Sequence, residues 1–231
     1  MNRKPMKRQS LRSALGIKKT IRKEVKKIVN YNVETKYHGV SHTKASMSTT
    51  ALVQDLCIVP QGVNDYSRIG DEILLSSVRL RFFFERANTT PSDAYNNIRV
   101  LLFQWNVDNS VDAITGPNLD KILHNYIDSA STSTQVADNF VARYNYDNLK
   151  AGKFTILYDK MHKVDISSND TKNWSLDMPL YKDKRAKKKV YYKAGVANHS
   201  TNSIYLAIFG DSTALNHPQL AYTSMLTYKD A

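Results

Sequence analysis

The residues of this chain best suited to chemistry are the lysines and arginines of its first 30 positions. That segment, the basic arm, holds eleven bases and one acid, Glu24, so it carries +10 of the chain's net charge of +12. Such side chains bind phosphate through charge, without reading sequence. Charge concentrated at one end of a chain is typical of a partner that is nucleic acid or an anionic membrane. The bases are Arg3, Lys4, Lys7, Arg8, Arg12, Lys18, Lys19, Arg22, Lys23, Lys26 and Lys27.

The basic arm also carries a helical stripe. Apolar residues recur at steps of three and four from Leu11 to Ile28, which is the spacing of one helix face. Gly16 weakens the helix, so the firm part is predicted at about 17–29. The stripe has no Trp or Phe to anchor it in a membrane, which favours nucleic acid as the partner. A nuclear-localisation signal fits the same bases and is compatible with that role.

A second group of bases, the 182–189 cluster, precedes the apolar residue Val190 and is predicted to lie in a loop. Two interpretations stay open: a loop that faces nucleic acid, or a solvated loop whose charge keeps the protein soluble. The cluster comprises Lys182, Lys184, Arg185, Lys187, Lys188 and Lys189.

Candidate metal ligands are few. His38 and His42 are four residues apart, which would suit zinc on a helix. Their segment has a β period, however, and residues four apart on a strand are about 13 Å apart. Some acids could offer oxygens to calcium, but their spacing matches no calcium loop. We predict no cofactor and treat these acids as solvated: Asp65, Asp71, Glu72, Asp108 and Asp112.

Motifs of known catalytic sites are absent from the sequence: it has no glycine-rich phosphate loop, no nucleophile elbow and no Cys-x-x-Cys. Cys57 is the only cysteine, so we expect a reducing compartment and a buried thiol. The six histidines are scattered, which argues against a cupin-type enzyme. We predict that the protein is not an enzyme. No apolar run resembles a membrane span or a signal peptide, so no membrane partner is expected.

From residue 31 the apolar period becomes two. Residues 78–84 alternate as a half-buried strand with Arg79 and Arg81 on the other face, and residues 98–105 are apolar on both faces, as in a central strand. Weaker or later strands are predicted at 33–41, 49–59, 154–158, 204–209 and 220–228, and a short helix after Pro117. The pattern predicts an all-β sandwich or barrel, with the arm at 1–30 and one β domain at 31–231.

Several strand motifs resemble a known family. Pro-Gln-Gly at 60–62, Arg-Ile-Gly-Asp-Glu-Ile at 68–73 and Val-Arg-Leu-Arg at 78–81 resemble capsid proteins of circular Rep-encoding single-stranded DNA (CRESS-DNA) viruses. They are also similar to satellite necrosis virus-type coat proteins. Residues 98–105 and 154–160 extend the resemblance over most of 34–230. It implies a single eight-stranded antiparallel jelly roll, a 60-subunit icosahedral shell, an inward-facing arm and nuclear import.

The resemblance and the arm together predict a viral capsid protein that self-assembles and packages single-stranded nucleic acid. Its expected partners are copies of itself, single-stranded DNA or RNA, and a host nuclear import receptor. Its expected locations are the virion and, during assembly, the host nucleus or cytoplasm. Calcium sites of some relatives cannot be mapped onto individual residues here. The alternative is a non-assembling nucleic-acid-binding β module, which needs a basic or aromatic groove on the β domain. The near-neutral charge of residues 31–231 argues against such a groove.

Overall fold

The computed structural model describes residues 16, 18–24, 34–85, 95–110, 112, 114, 119–124, 140, 142–165, 171–194, 200–211 and 218–230. The chain divides into two compact units, residues 1–35 and 36–231. In the first unit residues 16 and 18–24 are helical. Residues 17 and 25–29, which complete the predicted helix, lie outside the described residues, and the predicted boundary at residue 30 stays a prediction. Among the described residues no helix is long and apolar enough to cross a membrane.

Strands dominate the described part of the second unit, as the all-β prediction required. Sheet A follows the order β1-β12-β3-β9-β10, and β8 also pairs with β3. Sheet B follows the order β2-β11-β4-β7. The strands of sheet A are β1 (Thr35–Ser46), β3 (Glu72–Glu85), β8 (Thr171–Met178), β9 (Lys189–Tyr192), β10 (Ser200–Thr201) and β12 (Gln219–Asp230). Those of sheet B are β2 (Leu52–Asp55), β4 (Tyr95–Trp105), β7 (Phe154–Asp165) and β11 (Ser203–Gly210).

The pairing joins the first half of the chain to the second in mirror order. β1 pairs with β12, β2 with β11, β3 with both β8 and β9, and β4 with β7. β8 and β9 share one edge of β3, because β8 pairs with residues 78–85 and β9 with residues 72–74. The path is that of one long antiparallel hairpin, bent over into two sheets, with its tip in the connection between β4 and β7.

Alternation along β3 divides sheet A into a buried and an open face. Val78, Leu80 and Phe82 are buried between the sheets, while Arg79 and Arg81 are exposed on the opposite face. The strand predicted from this alternation is confirmed. Each large apolar side chain buried in this way stabilises the fold by about 1.5–3 kcal/mol. The outer face of sheet A, which points away from sheet B, carries Arg79 and Arg81 together with the partly buried Phe83.

The two central strands of sheet B, β4 and β11, are buried on both faces, which confirms the two-sided apolar strand predicted at 98–105. Val100 and Leu102 join the core between the sheets, whereas Leu101, Phe103 and Trp105 join a second cluster on the far side. Residues of the β4–β7 connection cover that far side. They include Leu119, Ile122, Leu123 and Ala142.

The described part of this connection contains little regular structure. It has a 3-10 turn at Leu119–Lys121, the strands β5 (Leu123–His124) and β6 (Arg143–Tyr144), and helix α1 (Tyr146–Lys150). Asn145 caps α1, since its side chain accepts a hydrogen bond from the backbone N–H of Asn148. The helix predicted after Pro117 is limited here to the 3-10 turn, because the chain then leaves its own hydrogen bonds to pair β5 with β6.

Candidate nucleic-acid interface

Four of the eleven predicted arm bases lie in the described helical stretch. Lys18, Lys19, Arg22 and Lys23 are all exposed. Lys18 and Arg22 are one helical turn apart, as are Lys19 and Lys23, so each pair places like charges side by side. Such pairs destabilise a helix until an anion neutralises them. The other seven predicted bases lie outside the described residues: Arg3, Lys4, Lys7, Arg8, Arg12, Lys26 and Lys27.

The apolar side of this stretch is open as well. Ile21 leaves 55% of its surface exposed. Ile17, Val25 and Ile28 lie outside the described residues, so the rest of the predicted stripe stays a prediction.

Five bases of the 182–189 cluster lie in the loop before β9, as predicted, whereas Lys189 is the first residue of β9. The six bases are not equivalent. Arg185 forms an ion pair with Asp183 at 2.7 Å, and Lys189 forms one with Glu72 at 2.6 Å. The Lys188 ammonium donates to the carbonyls of Leu180 and Tyr181. These three bases are already neutralised or hydrogen-bonded within the fold, and the Arg185 guanidinium lowers the pKa of Asp183 below its ordinary value.

The remaining bases of the cluster are exposed. Lys182, Lys184 and Lys187 form no ion pair with the described residues, although the Lys182 ammonium lies 5.4 Å from the centre of the Tyr181 ring. These three charges are available to an external anion, and the surface ion pairs of Arg185 and Lys189 can open to offer two more. The interpretations of the cluster as a nucleic-acid surface and as a solubilising loop therefore both stay open.

A groove that the net charge did not predict crosses the outer face of sheet A. Three adjoining hollows of about 660, 250 and 420 Å³ share one lining residue, Arg81. Arg79 lines the largest hollow. The alternation along β3 predicts that both arginines point away from the core, but the near-neutral charge of the domain does not reveal that they lie in one groove.

Arg81 is reachable because its neighbours across the sheet are small. The register places Thr223 of β12 on one side of it and Ser175 of β8 on the other. Gly39 of β1 lines the same groove, where an added Cβ would lie 3.4 Å from the carbonyl oxygen of Ser224. These short residues form a low floor from which the guanidinium projects.

Two tyrosines border the largest hollow. Tyr37 of β1 is 50% exposed and Tyr66, in the loop before β3, is 54% exposed. His38 lines the same hollow, and its burial lowers its pKa below the ordinary value, against the opposing effect of a backbone hydrogen bond with Tyr66. A histidine with a lowered pKa is neutral at pH 7. The charge of the groove therefore comes from its arginines.

Buried charges hold the loop that carries Tyr66. The Arg68 guanidinium is fully buried, lies 4.2 Å from the centre of the Tyr192 ring and pairs with Asp71 at 3.2 Å. The Lys36 ammonium donates to the carbonyl of Ser67 at 3.1 Å. These contacts hold the backbone that directly follows Tyr66.

The residues weighed as metal ligands have other roles. His38 and His42 lie on β1, not on a helix, and the His42 ring stacks on Tyr222. Glu72 pairs with Lys189, and Asp112 with Lys121. Within the described ranges no three His, Cys, Asp or Glu side chains are grouped as metal ligands would be. Calcium binding remains without an assigned residue.

A buried polar network joins β2, β11 and the start of the β4–β7 connection. Asp55 accepts hydrogen bonds from the backbone N–H of Cys57 at 2.7 Å and from the Asn109 amide at 3.2 Å. Burial raises the pKa of Asp55 to about 6, although these hydrogen bonds oppose the rise. Burial also raises the pKa of the Cys57 thiol, which has no exposed surface. The predicted buried thiol is confirmed, and in this environment it is a poor nucleophile.

Comparison with known proteins yields distant structural likenesses alone. No protein-family model matches the chain, and no curated protein matches its sequence. A solved chain of Desmodium yellow mottle tymovirus is 13% identical, with 86% of this chain and 88% of that chain covered and a TM-score of 0.36. The 60-mer BFDV capsid protein is 10% identical, with 86% of this chain and 92% of that chain covered and a TM-score of 0.31. A solved chain of Israel acute paralysis virus is 7% identical, with 86% of this chain and 73% of that chain covered and a TM-score of 0.28.

Proposed function

We propose that this chain is a viral coat protein whose β domain is an eight-stranded jelly roll and whose copies assemble into a small icosahedral shell of about 60 subunits. The observation that carries the proposal is the mirror-order pairing of the strands. With β8 and β9 counted as one position beside β3, and with the two-residue β10 set aside, each sheet has four strand positions. A long hairpin rolled into two facing sheets is the arrangement of a jelly roll, a frequent fold of viral shells.

The basic arm supplies the packaging function in this proposal. Its net charge of +10 lies outside the β domain, so it binds phosphate without disturbing the sandwich. If about 60 copies share one cavity, their arms bring about 600 positive charges to a packaged strand. Single-stranded DNA is the proposed cargo, with RNA as the other candidate. Nuclear import through the same bases is a further part of the proposal.

The second candidate is a nucleic-acid-binding β module that does not assemble. The groove around Arg81 favours it, because a groove with arginine and tyrosine on the β domain was the feature that this alternative requires. The groove is equally compatible with a shell whose inner surface contacts its cargo. Assembly therefore separates the two candidates, and nucleic-acid binding does not.

Sedimentation velocity of the purified full-length protein tests the proposal. A coat protein is expected to sediment as one fast, closed species whose size does not grow with concentration. A module that does not assemble would sediment as a monomer or dimer at every concentration, with or without a single-stranded oligonucleotide, and would exclude the shell.

A further inference from the structure

The outer face of sheet A offers a cationic site next to exposed aromatic rings. We propose that the groove around Arg81 binds unpaired bases of single-stranded nucleic acid, with Tyr37 and Tyr66 as stacking surfaces and Arg81 as the partner of a phosphate. The proposal rests on the proposed function in that nucleic acid is the ligand. It goes further by assigning base contacts to the β domain itself, separate from the phosphate contacts of the arm.

Charge is the first argument. No aspartate or glutamate lines any of the three hollows, and Arg81 forms no ion pair with the residues that the structure describes. Arg79 is 3.8 Å from Asp177, but both side chains are more than half exposed, so this pair contributes little and can open. The groove is therefore a local positive surface on a domain that is close to neutral as a whole.

Aromatic exposure is the second argument. Tyr37 and Tyr66 each expose about half of their surface at the border of the hollow that holds Arg79 and Arg81. Exposed rings beside guanidinium groups are the combination with which proteins hold single strands, because every base has a face that can stack. Arginine adds attraction through its own planar cation.

The extent of the groove is the third argument. The hollows run beside β12 from Ala221 to Met225, and residues four apart on a strand span about 13 Å. That length accommodates a short run of unstacked bases. The groove itself is too open to enclose a small compact ligand.

Other occupants fit the groove less well. The basic arm of the same chain has a charge of the same sign, so the arginines would repel it. An apolar surface of a second copy would remove Arg81 from water without a partner, which is costly. A polyanion with flat apolar bases satisfies both the arginines and the tyrosines.

The test compares two fluorescent strands of equal length and charge, oligothymidylate and an abasic strand, by anisotropy with the full-length protein. The arm binds the phosphates of both strands, so a preference for oligothymidylate reports base contacts. The expected preference is about tenfold. Tyr37→Leu and Tyr66→Leu should each reduce it severalfold, and Arg81→Gln should weaken binding of both strands.

Matched controls use equally exposed residues away from the groove. Tyr146→Leu on α1, where the ring is 61% exposed, and Arg143→Gln on β6 should leave both affinities unchanged. Thermal unfolding identifies any variant that fails to fold. Should Arg81→Gln fail to fold, the two tyrosine variants still decide the question.

Equal affinity of the wild-type protein for both strands would overturn the proposal, as would a preference that survives both tyrosine substitutions. Sedimentation of the same samples keeps the two proposals separate. If particles form but the preference for oligothymidylate is absent, the shell proposal stands and the groove proposal is wrong. If the preference is present but no particles form, the groove proposal stands and the shell proposal is wrong.

Discussion

Arg99 of β4 and Asp159 of β7 form a two-point ion pair on the far side of sheet B, with Nε–Oδ1 at 2.8 Å and Nη2–Oδ2 at 2.6 Å. The remaining guanidinium nitrogen of Arg99 donates to the carbonyls of Phe140 and Ala142, and the Tyr144 hydroxyl donates to Asp159. The pair therefore fastens the β4–β7 connection to the sheet that it covers.

Arg99→Leu is expected to lower the free energy of unfolding by about 3 kcal/mol. The substitution leaves Asp159, whose side chain is 17% exposed, without its cation and frees two carbonyls. Urea denaturation of the variant measures the loss. Arg143→Leu, on the exposed side of the same connection, should change stability by less than about 0.5 kcal/mol. Equal losses for the two variants would show that the ion pair does not hold the connection.

The β3 and β4 elements were predictable because their side-chain period is local information. Val78, Leu80 and Phe82 alternate with arginines in a way that only a half-buried strand explains. The pairing of β1 with β12 was not predictable from period, since contacts between chain ends depend on the whole path. The resemblance supplied a jelly roll as an expectation, and the mirror-order pairing now supports it.

The candidate site, like the fold, was predictable from the sequence only in part. The arm was visible because its charge is continuous in sequence. The groove was missed because Arg81, Tyr37 and Tyr66 lie on separate elements. The charges of Arg79 and Arg81 are also offset by acids elsewhere in a domain-wide sum. The outward alternation of Arg79 and Arg81 was the available signal. The sequence does not show that Thr223 and Ser175, two small residues, lie on either side of Arg81, because that depends on the strand register.

Asp55→Asn is expected to remove a pH dependence of stability. The pKa of Asp55 is about 6 in the fold against 3.8 for the ordinary group, so the folded state binds the proton more tightly than the unfolded state. This contribution is fully present below pH 4 and is lost as the pH rises through 6, a change of roughly 3 kcal/mol.

Unfolding free energies of the wild type and of Asp55→Asn, measured from pH 4 to pH 7, test this expectation. The wild type should lose stability relative to the variant as the pH rises. Asp65→Asn, at an exposed position, provides the same change of charge as a baseline. If the wild type instead becomes more stable relative to Asp55→Asn as the pH rises over that range, Asp55 is ionised in the folded state and the expectation is wrong.

Gln104→Leu is expected to destabilise the protein by about 2 kcal/mol. The fully buried Gln104 amide donates to the carbonyls of Lys187 and Asn202, both at 2.8 Å, and its oxygen accepts from the Lys187 N–H at 2.6 Å. Leucine leaves these backbone groups unpaired. Thermal unfolding against Gln219→Leu, at a half-buried position of β12, measures the effect. A loss no larger than that of Gln219→Leu would contradict the role of Gln104 in holding the 182–189 cluster.

Replacement of Lys18, Lys19, Arg22 and Lys23 by glutamine is expected to weaken binding of single strands mainly at low salt. Four phosphate contacts contribute about 3 to the slope of log K against log salt, so the slope should become shallower by about that amount. A control variant replaces four exposed bases of the β domain: Arg143, Lys150, Lys153 and Lys160. Slopes that fall equally in both variants would show that binding follows total charge and not the arm.

Electron microscopy of the full-length protein beside a chain lacking residues 1–29, with nuclease-protected nucleic acid measured in each, tests the central claim most directly. We expect closed particles of uniform size, with protected nucleic acid retained by the full-length protein and lost without the arm. Small dispersed species from the full-length protein, even with single-stranded DNA added, would contradict the shell and leave a nucleic-acid-binding β module as the function.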